Sequence, residues 1–328
     1  MSTCMLVIDG GTTNVRITLH SSLGEALCVY KKEAGVAHTA IDGHNGRIRD
    51  AVREGFNELL NRHGYSASSV TNCVAYGMIT SREGLLEIPH CVAPVDAAGL
   101  HKAMVQKTFP EIAPFPIRFI PGVRNFNGAV GLDNFSQMDM MRGEETEAIG
   151  LWRLLNAKDP CVMVLPGSHN KFVKMDASGA ILNCMTTMSG EFLSALSHHT
   201  ILSGAVGRAF LAEEEYDRET VLAGYLEAER AGLNRAAFAG RILSTLGKLP
   251  PGRVAGYLLG AVLQADARAL TAYAKKDTHL ILAGKQPVKR ALYDVLTANG
   301  FTDILAVPDD ICARMGVTGA MHIAGIAD

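Results

Sequence analysis

The chain opens with an apolar run, Cys4 to Ile8, that ends in an acid and a tight turn, Asp9-Gly-Gly-Thr-Thr13. Apolar and polar residues then alternate, with Val15, Ile17 and Leu19 on the apolar side. A run, a glycine turn and an alternating return predict a β-hairpin. Residues 27–32 read as a third strand. Across residues 43–63, Ile48, Val52, Phe56, Leu59 and Leu60 follow helical spacing, and His63-Gly64 supplies a stop. Residues 71–77 predict a strand, 96–108 a short helix and 117–120 another strand. Residues 122–139 are rich in Gly, Asn and Asp and lack periodicity, which places a lobe boundary there.

Beyond it the theme repeats. A helix is predicted over 144–155, a buried strand over 161–165, a turn at Pro166-Gly-Ser-His-Asn170, and strands over 171–175 and 181–185. Helical patterns occupy 191–274, with breaks near Gly204, Gly232 and Pro250-Pro251; a strand over 278–283 ends at Gly284, and a helix follows over 288–298. Each half therefore opens with an apolar strand, a small-residue turn and two more strands before its helices. No fixed-period repeat of the solenoid kind is present.

At 328 residues the chain is long enough for two cores. A net charge of −2 gives no electrostatic case for nucleic acid or an anionic membrane as partner. The seven cysteines are odd in number, scattered and free of any CxxC, so they read as reduced thiols of a cytoplasmic protein. Asp9 breaks the first apolar run too early for a signal peptide, and the longest apolar run, 254–263, is too short to span a bilayer. Homo-oligomerisation stays open.

The chemistry lies in the two turns. Glycines let the backbone approach a phosphate, and consecutive N–H groups form an anion-binding nest. Asp9 at the mouth of the first turn suits Mg²⁺, which takes one or two carboxylates plus phosphate and water. Gly10, Gly11, Thr12 and Thr13 would donate to the terminal phosphates, as would Gly167, Ser168, His169, Asn170 and Lys171 in the second turn. An ordinary hairpin fits either pattern alone. The chain holds neither G-x-x-x-x-G-K-[ST] nor G-x-G-x-x-G after a strand, so a P-loop and a dinucleotide fingerprint are both excluded. His198-His199 has no third ligand at metal spacing and reads as helix surface. Gly284 forms a strand–glycine–helix corner able to accept an adenine or ribose face. Gly256 and Gly260, four apart, read as a helix-packing stripe. Arg16, just past the first turn, either supports the site or binds substrate.

Five segments together resemble the 2-dehydro-3-deoxygalactonokinases, a family of sugar-acid kinases. They are Ile8-Asp-Gly-Gly-Thr-Thr-Asn-Val-Arg16, Gly77-Met-Ile-Thr-Ser-Arg-Glu-Gly84, Met141-Arg-Gly-Glu-Glu-Thr-Glu147, Leu165-Pro-Gly-Ser-His-Asn-Lys171 and Met188-Ser-Gly-Glu-Phe192. They fall in the family's order and cover most of the chain to about residue 205; Thr80, Glu83, Ser168 and Lys285 depart from its usual residues.

The resemblance implies a two-lobe α/β protein of the actin-like, hexokinase-type ATPase fold. Each lobe would be a mixed sheet flanked by helices, with the nucleotide in the interlobe cleft. The lobes would run 1–133 (first phosphate hairpin, sugar-acid binding) and 134–328 (general base, second phosphate hairpin, adenosine site). It further implies transfer of phosphate from Mg-ATP to the 6-hydroxyl of 2-dehydro-3-deoxy-D-galactonate. Glu144 would be the general base with Glu145 as fallback, and Ser81, Arg82 and Glu83 would grip the sugar acid. A kinase for another 2-keto-3-deoxy acid, such as the gluconate epimer, and a non-catalytic sugar-sensing regulator are the alternatives.

Overall fold

Residues 4–8 carry no alternation because the strand they form is covered on both faces. The computed structural model, which describes residues 3–326, places that strand at the centre of a sheet. Its strands are β1 (Cys4–Gly10), β2 (Val15–Ser21), β3 (Ala26–Lys32), β4 (Val70–Gly77), β5 (Cys91–Val92), β6 (Val105–Phe109), β7 (Ala113–Phe119), β8 (Val123–Arg124), β9 (Met140–Met141), β10 (Cys161–Leu165), β11 (Asn170–Met175), β12 (Ile181–Thr187), β13 (Leu280–Leu282) and β14 (Ile304–Ala306). Its α-helices are α1 (Val36–Asp42), α2 (Gly46–Arg62), α3 (Ala97–Ala103), α4 (Glu144–Leu154), α5 (Ser189–His199), α6 (Arg218–Ala231), α7 (Leu233–Thr245), α8 (Pro251–Tyr273), α9 (Val288–Ala298) and α10 (Asp309–Ile323).

The larger sheet has the order β3-β2-β1-β4-β7-β6, and the second has the order β12-β11-β10-β13-β14. Strand for strand, the second repeats the first five positions of the larger one. In each, the opening strand is the middle of the sheet and pairs in parallel with a strand from later in the chain, β4 or β13. A small third sheet joins β5, β8 and β9. The predicted apolar stripe of α2 packs on the β1–β2 face, where Ile48, Val52, Phe56 and Leu59 join Leu6, Ile8 and Ile17 in one core. Phe56 is 1% exposed, so its truncation to alanine would cost about 3–5 kcal/mol.

The chain divides into two compact units. Among the described residues, unit 1 takes 3–159, 175–184 and 313–326; unit 2 takes 160–174 and 185–312. The expected lobe boundary at 133/134 lies inside unit 1. Helix α4 belongs there because it crosses α10 at glycines: a Cβ on Gly150 would fall 1.8 Å from the Met315 carbonyl, and one on Gly319 1.8 Å from that of Thr146. Unit 2 uses the same device. A Cβ on Gly260 of α8 would meet the Val221 carbonyl of α6 at 1.8 Å, in keeping with the packing role read for the Gly256–Gly260 stripe.

Two expectations need correction. The short helix over 96–108 is α3 followed by strand β6, because Val105–Phe109, with its strand-favouring Val, Thr and Phe, pairs antiparallel with β7. The helical stretch predicted from 191 is interrupted over 200–217, where a single 3₁₀ turn at Glu213–Glu215 is the only helix. Helices α1 and α10 and strand β14 carried no expectation at all. All seven cysteines are free. No helix among the described residues is long and apolar enough to cross a membrane.

Candidate active site

In unit 1 the strand register collects the site. Asp9 pairs with Arg16 across β1–β2 and with Tyr76 across β1–β4, so three polar residues hold adjacent positions near one end of the sheet's central strands. Arg16 Nη1 lies 3.8 Å from Asp9 Oδ2, both side chains being partly exposed. Tyr76 is 4% exposed and abuts α10, where a Cβ on Gly316 would fall 2.2 Å from its hydroxyl. Burial, and then the charge of Asp9, drives that phenol far above its usual range.

The first turn is arranged to offer donors. Gly11 N–H closes it onto the Asn14 carbonyl at 2.8 Å. The carbonyls of Gly11, Thr12 and Thr13 accept from the N–H groups of Val36, Ala37 and Gly35, at 3.3, 2.9 and 2.8 Å. Those three N–H groups open α1 and have no partner within the helix. The start of α1 thus covers the turn's acceptors, and the exposed Thr12 and Thr13 keep N–H groups that take no acceptor among the described residues. Gly35 is required for this approach, since a Cβ there would lie 2.2 Å from the Thr12 carbonyl.

Helix α4 brings acids to the same unit. Gly143, at φ +113°, starts it, and a Cβ there would sit 3.3 Å from the Gly77 Cα. Glu145 is fully buried. Both its oxygens accept from the Gly143 N–H, at 3.0 and 2.8 Å, and Oε1 also accepts from Thr146 Oγ1 at 3.0 Å. Burial, then the neighbouring Glu144, pushes its carboxyl up to about 8. Glu144 is half-buried. Glu147, one turn on, is driven far above the usual carboxylate range by burial and then by Glu144 and Asp9, against the opposing charge of Arg16. Among the described residues no three His, Cys, Asp or Glu side chains form a metal-ligand set. A partly exposed Asp9 with an excess of nearby acid fits a cation that keeps water and phosphate as most of its ligands.

The expected sugar-acid residues follow β4. Thr80 and Ser81 are buried, Arg82 is exposed, and Ser81 Oγ donates to Glu83 at 3.3 Å. Arg142 holds this loop: Nη1 donates to Thr80 Oγ1 at 2.8 Å and Nη2 to the Ile88 carbonyl at 2.7 Å.

In unit 2 the second turn repeats the logic of the first. A Cβ on Gly190 of α5 would lie 2.2 Å from the Gly167 carbonyl, and Glu191 N–H donates to the Ser168 carbonyl at 3.0 Å. Gly167 N–H is taken by Asn170 Oδ1 at 3.1 Å, so the donors left outward are the N–H groups of Ser168 and His169. His169 Nε2 lies 3.0 Å from Glu191 Oε1. Lys171 is 6% exposed and donates to Thr186 Oγ1 at 2.6 Å, which draws its ammonium inward. Gly284, at φ +118°, packs against Pro166 of the same turn. Asn170 Nδ2 reaches the buried Asp266 at 3.0 Å.

Sequence reasoning had not singled out Tyr76, Arg142, Glu147, Gly35, Gly190 or Asp266. Arg142, Glu147 and Gly190 lay in segments that carried the family resemblance, and Asp266 stood out as an acid amid the apolar residues of α8; Tyr76 and Gly35 left no such signal.

Two sheets of one repeated order, each led by a hairpin whose turn faces outward with N–H donors, define the actin-like, sugar-kinase type of ATPase fold. The family model for 2-keto-3-deoxy-galactonokinase matches residues 9–319. The chain belongs to that family and is a phosphotransferase of the 2-dehydro-3-deoxygalactonokinase type. A curated protein of Rhizobium meliloti, "Probable 2-dehydro-3-deoxygalactonokinase", is 27% identical over 80% of this chain and 74% of its own. The crystal structure of a "putative 2-dehydro-3-deoxygalactonokinase protein" from Sinorhizobium meliloti aligns with a TM-score of 0.74 at 22% identity, covering 97% of this chain and 98% of the other. Component A of the (R)-2-hydroxyglutaryl-CoA dehydratase of Acidaminococcus fermentans aligns over the full length of both chains, with a TM-score of 0.50 at 12% identity. Both structural likenesses concern the fold.

Proposed function

We propose that the chain transfers the γ-phosphoryl group of Mg-ATP to the 6-hydroxyl of 2-dehydro-3-deoxy-D-galactonate, giving the 6-phosphate and ADP in the cytoplasm. The observation that carries this reading is the donor-only face of the two turns, in a chain of this family. Each turn has its carbonyls covered by a helix start and its N–H groups left without an acceptor, which suits a polyanion.

Asp9 would hold Mg²⁺ directly or through water; the ion would neutralise charge on the phosphates. Thr12 and Thr13, with Gly10 and Gly11 giving close approach, would bind one phosphate end. Ser168 and His169 would donate in the second turn, with Gly167, Asn170 and Lys171 shaping it and Gly284 facing the adenosine. Glu144 accepts the proton of the attacking hydroxyl. It is the better base of the two adjacent glutamates because Glu145 is committed to the Gly143 N–H. Arg82 would fork onto the substrate carboxylate, with Arg16, Ser81 and Glu83 contacting its hydroxyls.

ADP release measured against a panel of 2-keto-3-deoxy acids tests the substrate. The galactonate compound should give the highest kcat/KM, and a higher value for the gluconate epimer would reassign it. Absence of stimulation by any sugar acid would favour a sugar-sensing role.

A further inference from the structure

Asp266 lies in the middle of α8 with none of its surface exposed, among Leu263, Ala267 and Leu270 of the unit 2 core. A buried carboxylate is costly unless its oxygens are bonded. Here Oδ1 accepts from Asn170 Nδ2 at 3.0 Å and from Thr187 Oγ1, while Oδ2 accepts from Ser189 Oγ. The donors come from the first residue of β11, the last of β12 and the first of α5. One acid therefore ties together the three elements that surround the second turn.

The chemistry of the group gives the arrangement a direction. A carboxylate only accepts, so Asn170 must present its NH₂ to Asp266 and turn its Oδ1 to the Gly167 N–H. Fixing that N–H inward leaves Ser168 and His169 to present theirs. The bond from Ser189 holds the start of α5, whose Gly190 and Glu191 cover the carbonyls of Gly167 and Ser168.

We propose that Asp266 is a positioning residue for the second turn: it sets the amide orientation of Asn170 and the seat of α5, and so aims the Ser168 and His169 N–H groups at phosphate. The proposal rests on the reading of that turn as a phosphate site.

The test is Asp266→Asn, which keeps the size but offers Asn170 a donor or a single acceptor, freeing the Asn170 amide to flip. Its KM for Mg-ATP should rise about tenfold, as expected for a lost hydrogen bond to a charged group, with KM for the sugar acid within about twofold. Hydrogen exchange of the segment 166–171 should quicken about tenfold while that of the β1–β2 turn stays at the wild-type rate. An unchanged KM for Mg-ATP with unchanged exchange overturns the proposal. If Asp266→Asn does not fold, Ser189→Ala removes one donor and should move both readouts about threefold in the same direction; no movement there overturns it equally. Failure of the wild type to form ADP with any sugar acid would count against the kinase reading instead, and the exchange measurement would still decide the role of Asp266.

Discussion

Adjacent glutamates at the start of α4 occupy different physical situations. Glu145 closes a ring with its own helix start through Gly143 and Thr146, whereas Glu144 keeps partial contact with solvent. Glu144→Gln should lower kcat by about 10²–10⁴, the usual worth of a general base, with KM for Mg-ATP nearly unchanged; steady-state kinetics with near-wild-type turnover would move the base elsewhere. Glu145→Gln should act on stability instead. Its carboxyl stands at about 8 in the folded chain against 4.5 as a free group. Between those values the folded state holds a proton that the unfolded state releases, so this group's contribution is fully present below 4.5 and is lost as pH rises toward 8. The slope is on the order of 1 kcal/mol per pH unit. The melting temperature of the glutamine variant should therefore fall less between pH 5 and 8 than that of the wild type; parallel curves would contradict the assignment. Asp9 and its turn were legible in the sequence because an apolar run breaking at an acid and two glycines is a local pattern. Tyr76 and Glu147 were not, since each meets Asp9 only through pairing and packing between distant parts of the chain.

At the scale of elements, each turn owes its donor face to a helix that begins against it. Gly190→Ala would put a methyl group 2.2 Å from the Gly167 carbonyl, and Gly35→Ala would do the same to that of Thr12. Either change should force helix and turn apart, costing about 1–3 kcal/mol in stability and raising KM for Mg-ATP more than KM for the sugar acid. Melting curves and paired KM values check this, and a loss of stability without any change in KM for Mg-ATP would separate the helix starts from nucleotide binding. The sequence showed both turns but not this relation. Val36–Asp42 is seven residues with only Val36 buried, too short and too polar for a periodic signal. Helix α10 was missed for another reason: Gly316 and Gly319 look like breaks, yet they are the contacts that admit Tyr76 and α4.

Across the whole molecule, one strand order appears twice, and the repeat was legible because each copy opens with the same strand, turn and strand. The division into units was less legible. Residues 134–159 and 313–326 join unit 1 through glycine crossings between α4 and α10 that have no periodic signature. The repeated fold and the family give a kinase; under the proposed function, Glu144 and the Ser81–Glu83 loop would meet its acceptor. The most direct test is to incubate the protein with Mg-ATP and 2-dehydro-3-deoxy-D-galactonate and follow the phosphorus resonances. One sugar 6-phosphate should form for each ADP. Inorganic phosphate in place of the sugar phosphate, or no ADP beyond the sugar-free control, would contradict it.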